Sequence, residues 1–145
     1  MTLSDRSAAA DTPQGNSELV ELGLRRTVAA VQALGRRVVI VDQVPEIGYD
    51  VPSANYSAKL TGKDVNALIA PTRQEFLERA GDSRRIIEAI ADELSIATID
   101  PAGRLCDAEL CRVIEDDIPL YRDDNHLSLY GCLVVSNLFD GVLIQ

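Results

Sequence analysis

The spacing of apolar residues changes several times along the chain, and each change marks an element. Leu24, Val28, Val31 and Leu34 recur at helical spacing within Ser17 to Leu34. Gly35 follows as a stop, with Arg36 and Arg37 set to favour the helix's negative end. Val38-Val39-Ile40-Val41 is a continuous β-branched run, which predicts a strand covered on both faces in a parallel sheet. Pro45 ends it. Residues 46–70 carry Gly48, Pro52, Ser53, Asn55 and Gly62 and hold no period. They read as a long loop with room for one short helix, and loops of that length in a compact domain tend to be functional.

Thr72-Arg-Gln-Glu75 is a capping box, in which the hydroxyl covers a free backbone N–H and the glutamate reaches back to the cap. The helix it opens runs to about Leu94, with Phe76, Ala80, Ile87, Ile90 and Leu94 inward. Ile96–Ile99 is the next strand, closed by Asp100-Pro101. After a cysteine-bearing loop and a short connector, Ser128 is placed to cap a last helix through about Phe139. Leu129, Leu133 and Leu138 fall on one side of that helix. Helix–strand–helix–strand–helix with buried strands is an α/β pattern, helices flanking a parallel sheet. Two strands are too few to cover such a sheet. The pattern therefore predicts the C-terminal portion of a single larger domain over residues 17–145, with residues 1–16 a polar, disordered lead-in.

The chain has 145 residues, one domain's worth, and its 46% apolar and 26% charged content is ordinary for a soluble protein. Fourteen basic against 23 acidic residues give a net charge of −9. That balance argues against a nucleic-acid binder or a module docking on anionic membranes, since both need a basic face. No apolar run approaches the roughly 20 residues that span a bilayer. The stretch from Met1 to Asn16 has no apolar signal core, so the chain expressed as written would stay cytoplasmic.

Cys106 and Cys111 stand five apart, and Cys132 lies in an apolar stretch. One histidine cannot complete a zinc set with such a pair. Reduced core thiols and a small-loop disulfide both fit the spacing. Cys132 reads as a buried small apolar residue. Glu115-Asp116-Asp117 and Asp123-Asp124 read as solvated loops, because a hard-metal site needs about six convergent oxygens. No metal or cofactor is expected.

His126 is the only histidine, so any imidazole base must be this one. Asp123 lies three residues before it and Asp124 two before. A tight turn ahead of a helix brings side chains i and i+3 together, which favours Asp123. A carboxylate accepting from Nδ1–H fixes the imidazole tautomer and leaves Nε2 to take a proton from a nucleophile. The competing reading is a histidine that caps the following helix or lies idle on the surface.

The segment Leu120-Tyr121-Arg122-Asp123-Asp124-Asn125-His126-Leu127-Ser128-x-x-Gly131 resembles the last sequence block of SGNH hydrolases. More narrowly, it is similar to the SGNH domain attached to acyltransferase family 3 membrane proteins, which O-acylate bacterial surface sugars. Other matches fall in the family's order: the helix ending in Gly35, the strand Val38–Val41 followed by Val44-Pro45-Glu46, and Ile99-Asp100-Pro101 followed by Leu105-Cys106 and Cys111. The resemblance spans about Leu24 to Phe139. It implies a flavodoxin-like three-layer sandwich with its N-terminal strand or strands missing. It implies Asp123 as orienting acid and His126 as general base, with Cys106 and Cys111 as a disulfide pair. It also implies an extracytoplasmic location as part of a membrane protein, a membrane-embedded acyltransferase domain as partner, and a carbohydrate acceptor or O-acyl sugar as substrate.

The family's nucleophile lies in a Gly-Asp-Ser block after its first strand, and too little chain precedes Val38 to hold it or the oxyanion-hole blocks. Gly81-Asp82-Ser83 spells the same tripeptide, but it sits in a helical pattern with no strand before it, so Ser83 is not expected to serve. Glu46, at the C-terminal end of a strand, is a candidate for lining the site, where open α/β sheets bind ligands. The expected function is the Asp-x-x-His half of an esterase or acyltransferase site, inactive alone. The alternative is a non-catalytic α/β binding or scaffold module. A truncated sheet also exposes an edge that favours self-association.

Overall fold

The computed structural model describes residues 13–143 and divides the chain into two compact units. Among the described residues, one comprises residues 13–40 together with Gly81–Thr98. The other comprises Val41–Ala80 and residues 99–143. Residues 1–12, most of the expected lead-in, lie outside the described residues.

Helix α1 spans Pro13–Ala33 and so begins four residues earlier than the apolar period predicts. Proline suits a first helical turn, where its missing N–H would have no partner anyway. Gly35 ends the helix in the left-handed region at φ +70°, and its N–H donates to the Gln32 carbonyl at 2.8 Å. Helix α4 spans Arg73–Leu94. Within the first unit, Gln32 Nε2 donates to the Leu94 carbonyl at 3.2 Å and Arg25 pairs with Glu93, while Val28, Ile90 and Ala91 are buried. Leu34, expected inward, is exposed.

Strands β1 (Val39–Val41) and β2 (Ala97–Ile99) pair in parallel, so the chain is α/β. Neither is covered on both faces as the β-branched run predicts: Val41 is 47% exposed, and Ala97 and Thr98 face solvent. Among the described residues the sheet has just these two strands, so neither has a neighbour on its outer edge.

The segment expected as a long loop holds two helices, α2 (Val51–Thr61) and α3 (Val65–Ile69). Asp50 caps α2 by accepting from the Ser53 N–H, Pro52 sits in the first turn, and Gly62 closes the helix at φ +64°. Asp64 caps α3 through the Asn66 N–H. The Pro and Gly that look like loop punctuation are a start and a stop signal. The Thr72–Glu75 capping box forms as expected, with Glu75 Oε2 accepting from the Thr72 N–H at 2.7 Å.

Past β2, the short helix α5 (Ala102–Leu105) leads into a disulfide between Cys106 and Cys111. It is buried against Phe76, Ala80 and Ala102. The Cys111 N–H donates to the Pro71 carbonyl and the Arg73 N–H to the Glu109 carbonyl, which ties this loop to the start of α4. Strands β3 (Ile114–Glu115) and β4 (Ile118–Pro119) form an antiparallel hairpin where the sequence reads only as a connector. Its two turn residues, Asp116 and Asp117, sit at φ +50° and +64°, the twist a two-residue hairpin prefers but an uncomfortable one for side chains. Asp117→Gly relieves the second position, and its urea midpoint should rise by the equivalent of about 0.5–1 kcal/mol. Asp116 is left alone because its carboxylate accepts from the Tyr130 hydroxyl.

Helix α6 spans Leu129–Val135, followed by a 3-10 turn over Ser136–Phe139 and the short α7 (Asp140–Leu143). Gly131 and Val135 face inward, and Leu138 is half-buried. Leu129 and Leu133 are 81% and 63% exposed, not inward, and Cys132 is exposed rather than buried. The rotation is set by Gly131, whose missing side chain lets α6 lie directly on the Leu120 carbonyl. The core beneath it gathers Ile47, Val51, Val65, Leu105, Val113 and Tyr121. Among the described residues no helix is long and apolar enough to cross a membrane.

Candidate active site

The loop after β4 is closed on itself before any neighbour touches it. Tyr121 and Leu127 form an isolated antiparallel bridge, and the Arg122 N–H donates to the His126 carbonyl at 2.9 Å. The Ser128 N–H donates to the Leu120 carbonyl at 2.9 Å, and its hydroxyl to the Pro119 carbonyl at 2.7 Å. The same hydroxyl oxygen accepts from the Gly131 N–H, capping α6. A second segment holds the loop from outside: the Ile47 N–H donates to the Asp124 carbonyl at 2.8 Å and the Val51 N–H to the Asp123 carbonyl at 3.4 Å. Tyr121 anchors the base of the loop in the core with no exposure, and burial drives its hydroxyl far above the ordinary phenol range.

Inside this frame Asp123 organises everything. Its Oδ1 accepts from the Asn125 N–H at 3.0 Å and the His126 N–H at 2.7 Å. Its Oδ2 lies 2.9 Å from His126 Nδ1 and 3.5 Å from Arg122 Nε. The Asn125 N–H above all, then that of His126, hold the carboxyl at about 2, against an ordinary 3.8; the imidazole contact adds to them. An ionised carboxylate only accepts, so Nδ1 carries the proton of the pair and Nε2 of a neutral imidazole keeps a lone pair. Nε2 makes no hydrogen bond among the described residues, and the His126 side chain is 62% exposed. Asp124 contributes its carbonyl to the frame, not its carboxylate to the imidazole.

The carboxylate's low value fixes the direction of its effect on stability. In the unfolded chain it ionises near 3.8 and in the folded chain near 2, so its contribution is complete above pH 3.8 and is lost as pH falls through about 2. Urea midpoints measured across that window should fall less steeply in Asp123→Asn than in the parent chain. Part of the remaining slope belongs to Asp50, lowered by the Ser53 hydroxyl and then its N–H, and to Glu75 and Asp107, lowered first by backbone N–H groups.

His126 opens on a cleft of about 400 Å³ lined by Gln43, Val44, Glu46, Asn125 and His126. Glu46 therefore stands in the same cleft as the imidazole. Its carbonyl accepts from Arg79 Nη1 at 3.1 Å, and its Oε2 lies 3.8 Å from that nitrogen. Sequence reasoning missed Gln43, Val44 and Asn125 as lining residues, although Asn125 lies inside the Asp-x-x-His block. Arg79 carried no signal at all, because its partner is distant in sequence. Ser83 lies in the interior of α4, so the tripeptide around it forms no strand-to-helix turn. Among the described residues no group of three or more His, Cys, Asp or Glu side chains converges to hold a metal ion.

In a family-level comparison, residues 2–141 match the SGNH domain (fused to AT3 domains). No curated protein and no solved structure matches the chain.

Proposed function

The chain belongs to the family of SGNH domains fused to AT3 domains, and from that premise we propose that it supplies the acid–base half of an ester-cleaving or acyl-transferring site. His126 Nε2 takes the proton from a serine hydroxyl as that oxygen attacks an ester carbonyl, then returns it to the leaving alcohol. Asp123 holds the imidazole in the required tautomer and stabilises the imidazolium formed in between. The observation that carries this reading is the 2.9 Å contact between Nδ1 and an ionised carboxylate, with Nε2 free at a cleft. In this reading the family's Gly-Asp-Ser block supplies the bond-making serine and the oxyanion donors, and this cleft supplies the imidazole and its orienting carboxylate.

By the same family reasoning, the substrate is an O-acyl sugar or a carbohydrate acceptor on the cell surface. The domain then works outside the cytoplasmic membrane beside a membrane-embedded acyltransferase domain. The Cys106–Cys111 disulfide is consistent with an oxidising compartment. The test is p-nitrophenyl acetate hydrolysis by the 145-residue chain and by a longer polypeptide that restores an upstream Gly-Asp-Ser segment. Turnover in the longer polypeptide alone, lost in His126→Ala, is the expected result. Turnover that survives His126→Ala would overturn the assignment. Silence from both polypeptides would favour a binding or scaffold module that keeps the fold without the chemistry.

A further inference from the structure

The cleft at His126 has a neighbour. A second cavity, of about 310 Å³, has Ile47, Tyr49, Leu68, Pro71, Glu75 and Arg79 in its walls. The two meet at Arg79, which lines the second cavity while its Nη1 donates to the carbonyl of Glu46, a residue of the first. Both cavities lie within the same compact unit.

The walls of the second cavity combine two kinds of surface. Tyr49 is 59% exposed and Leu68 half exposed, so the cavity keeps an aromatic ring and an aliphatic wall in contact with water. Glu75 uses one carboxylate oxygen, Oε2, in the capping box, which leaves Oε1 for a ligand hydroxyl. Arg79 spends one nitrogen on Glu46 and keeps donors on its remaining nitrogens. A ring with a C–H face and a rim of hydroxyls satisfies such a surface, the face against Tyr49 and the hydroxyls on the carboxylate and guanidinium.

Charge narrows the ligand further. Two carboxylates, Glu46 and Glu75, stand near the single guanidinium of Arg79, that of Glu46 with Oε2 3.8 Å from Nη1. One guanidinium therefore stands against two carboxylates in these walls. An anionic ring brought there would meet a surplus of negative charge within a chain whose net charge is −9.

We propose that the cavity at Tyr49 and Arg79 is a subsite for an uncharged sugar ring, selecting against uronates and other acidic sugars. The proposal rests on the reading of the His126 cleft as a site for O-acyl sugars, and it adds which sugars that site accepts.

The experiment is an NMR titration of the isotopically labelled 145-residue chain at low ionic strength. The probes are acetylated xylotetraose and acetylated tetragalacturonate. The neutral probe should shift the amides of Tyr49, Leu68 and Arg79 saturably and bind at least about tenfold more tightly than the uronate. Tyr49→Ala should weaken the neutral probe by about tenfold, and Tyr49→Phe should restore it. Equal or tighter binding of the uronate, indifference to Tyr49→Ala, or no saturable shift up to about 10 mM would each overturn the subsite. Because the titration needs no nucleophile, its failure would leave the hydrolysis test standing, and loss of His126-dependent hydrolysis would leave the titration standing.

Discussion

Ester hydrolysis by a polypeptide that joins this chain to an upstream Gly-Asp-Ser segment should fall by about 10³–10⁴-fold in His126→Ala. The loss should appear in kcat with KM little changed, because the imidazole moves a proton in the transition state and contributes little to ground-state binding. The side chain is largely exposed and makes one contact, so the variant should melt at the parent temperature. Added imidazole should then recover part of the rate. Asp123→Asn tests the second member of the pair. An amide nitrogen facing Nδ1 donates where the carboxylate accepted, which favours the wrong tautomer and should lower kcat by about 10²–10⁴-fold. Equal kcat in the parent and in either variant would remove the acid–base assignment.

The second large effect is expected at a residue with no chemistry. A methyl group at Gly131 would stand 2.1 Å from the Leu120 carbonyl oxygen and 3.2 Å from a methyl of Leu127. The carbonyl has little room to yield, since Leu120 is fully buried and its oxygen already accepts from the Ser128 N–H. Gly131→Ala must push α6 away from the strand end that launches the Asp123–His126 loop. A loss of about 3 kcal/mol follows from overpacking at a rigid backbone contact, or a melting point lower by roughly 10 °C. Gly81→Ala is the control, because it lies inside α4 with nothing within 4 Å and should be neutral or slightly stabilising. A Gly131→Ala protein that melts with the control would show that the close approach carries no strain.

What the sequence revealed and what it hid divide along contact range. The Thr72–Glu75 capping box, the Gly35 stop and the Asp123–His126 spacing are all settled within a few residues, and each reads directly from the chain. Asp50-Val-Pro-Ser53 and Gly62 were equally local, but proline and glycine serve both helix ends and loops, and the apolar period that separates the two is short in α2. The rotation of α6 was hidden for another reason. Leu129 and Leu133 form a plausible inward stripe until the Leu120 carbonyl claims the side bearing Gly131. The hairpin at Asp116-Asp117 lacked the glycine that normally announces such a turn. The Arg79–Glu46 contact joins residues 33 apart and leaves no mark on either stretch of sequence.

One oxygen of Asp123 folds the loop while the other orients the imidazole, and the two duties age differently under mutation. A descendant of this domain that lost its chemistry would be free to change His126, whose side chain supports nothing else. It would still be held to a short side-chain acceptor at 123, aspartate or asparagine, because without one two backbone N–H groups lose their partner and the turn opens. Aspartate or asparagine retained beside a replaced histidine is therefore the expected scar of a retired member of this lineage, and a histidine kept without either should be rare.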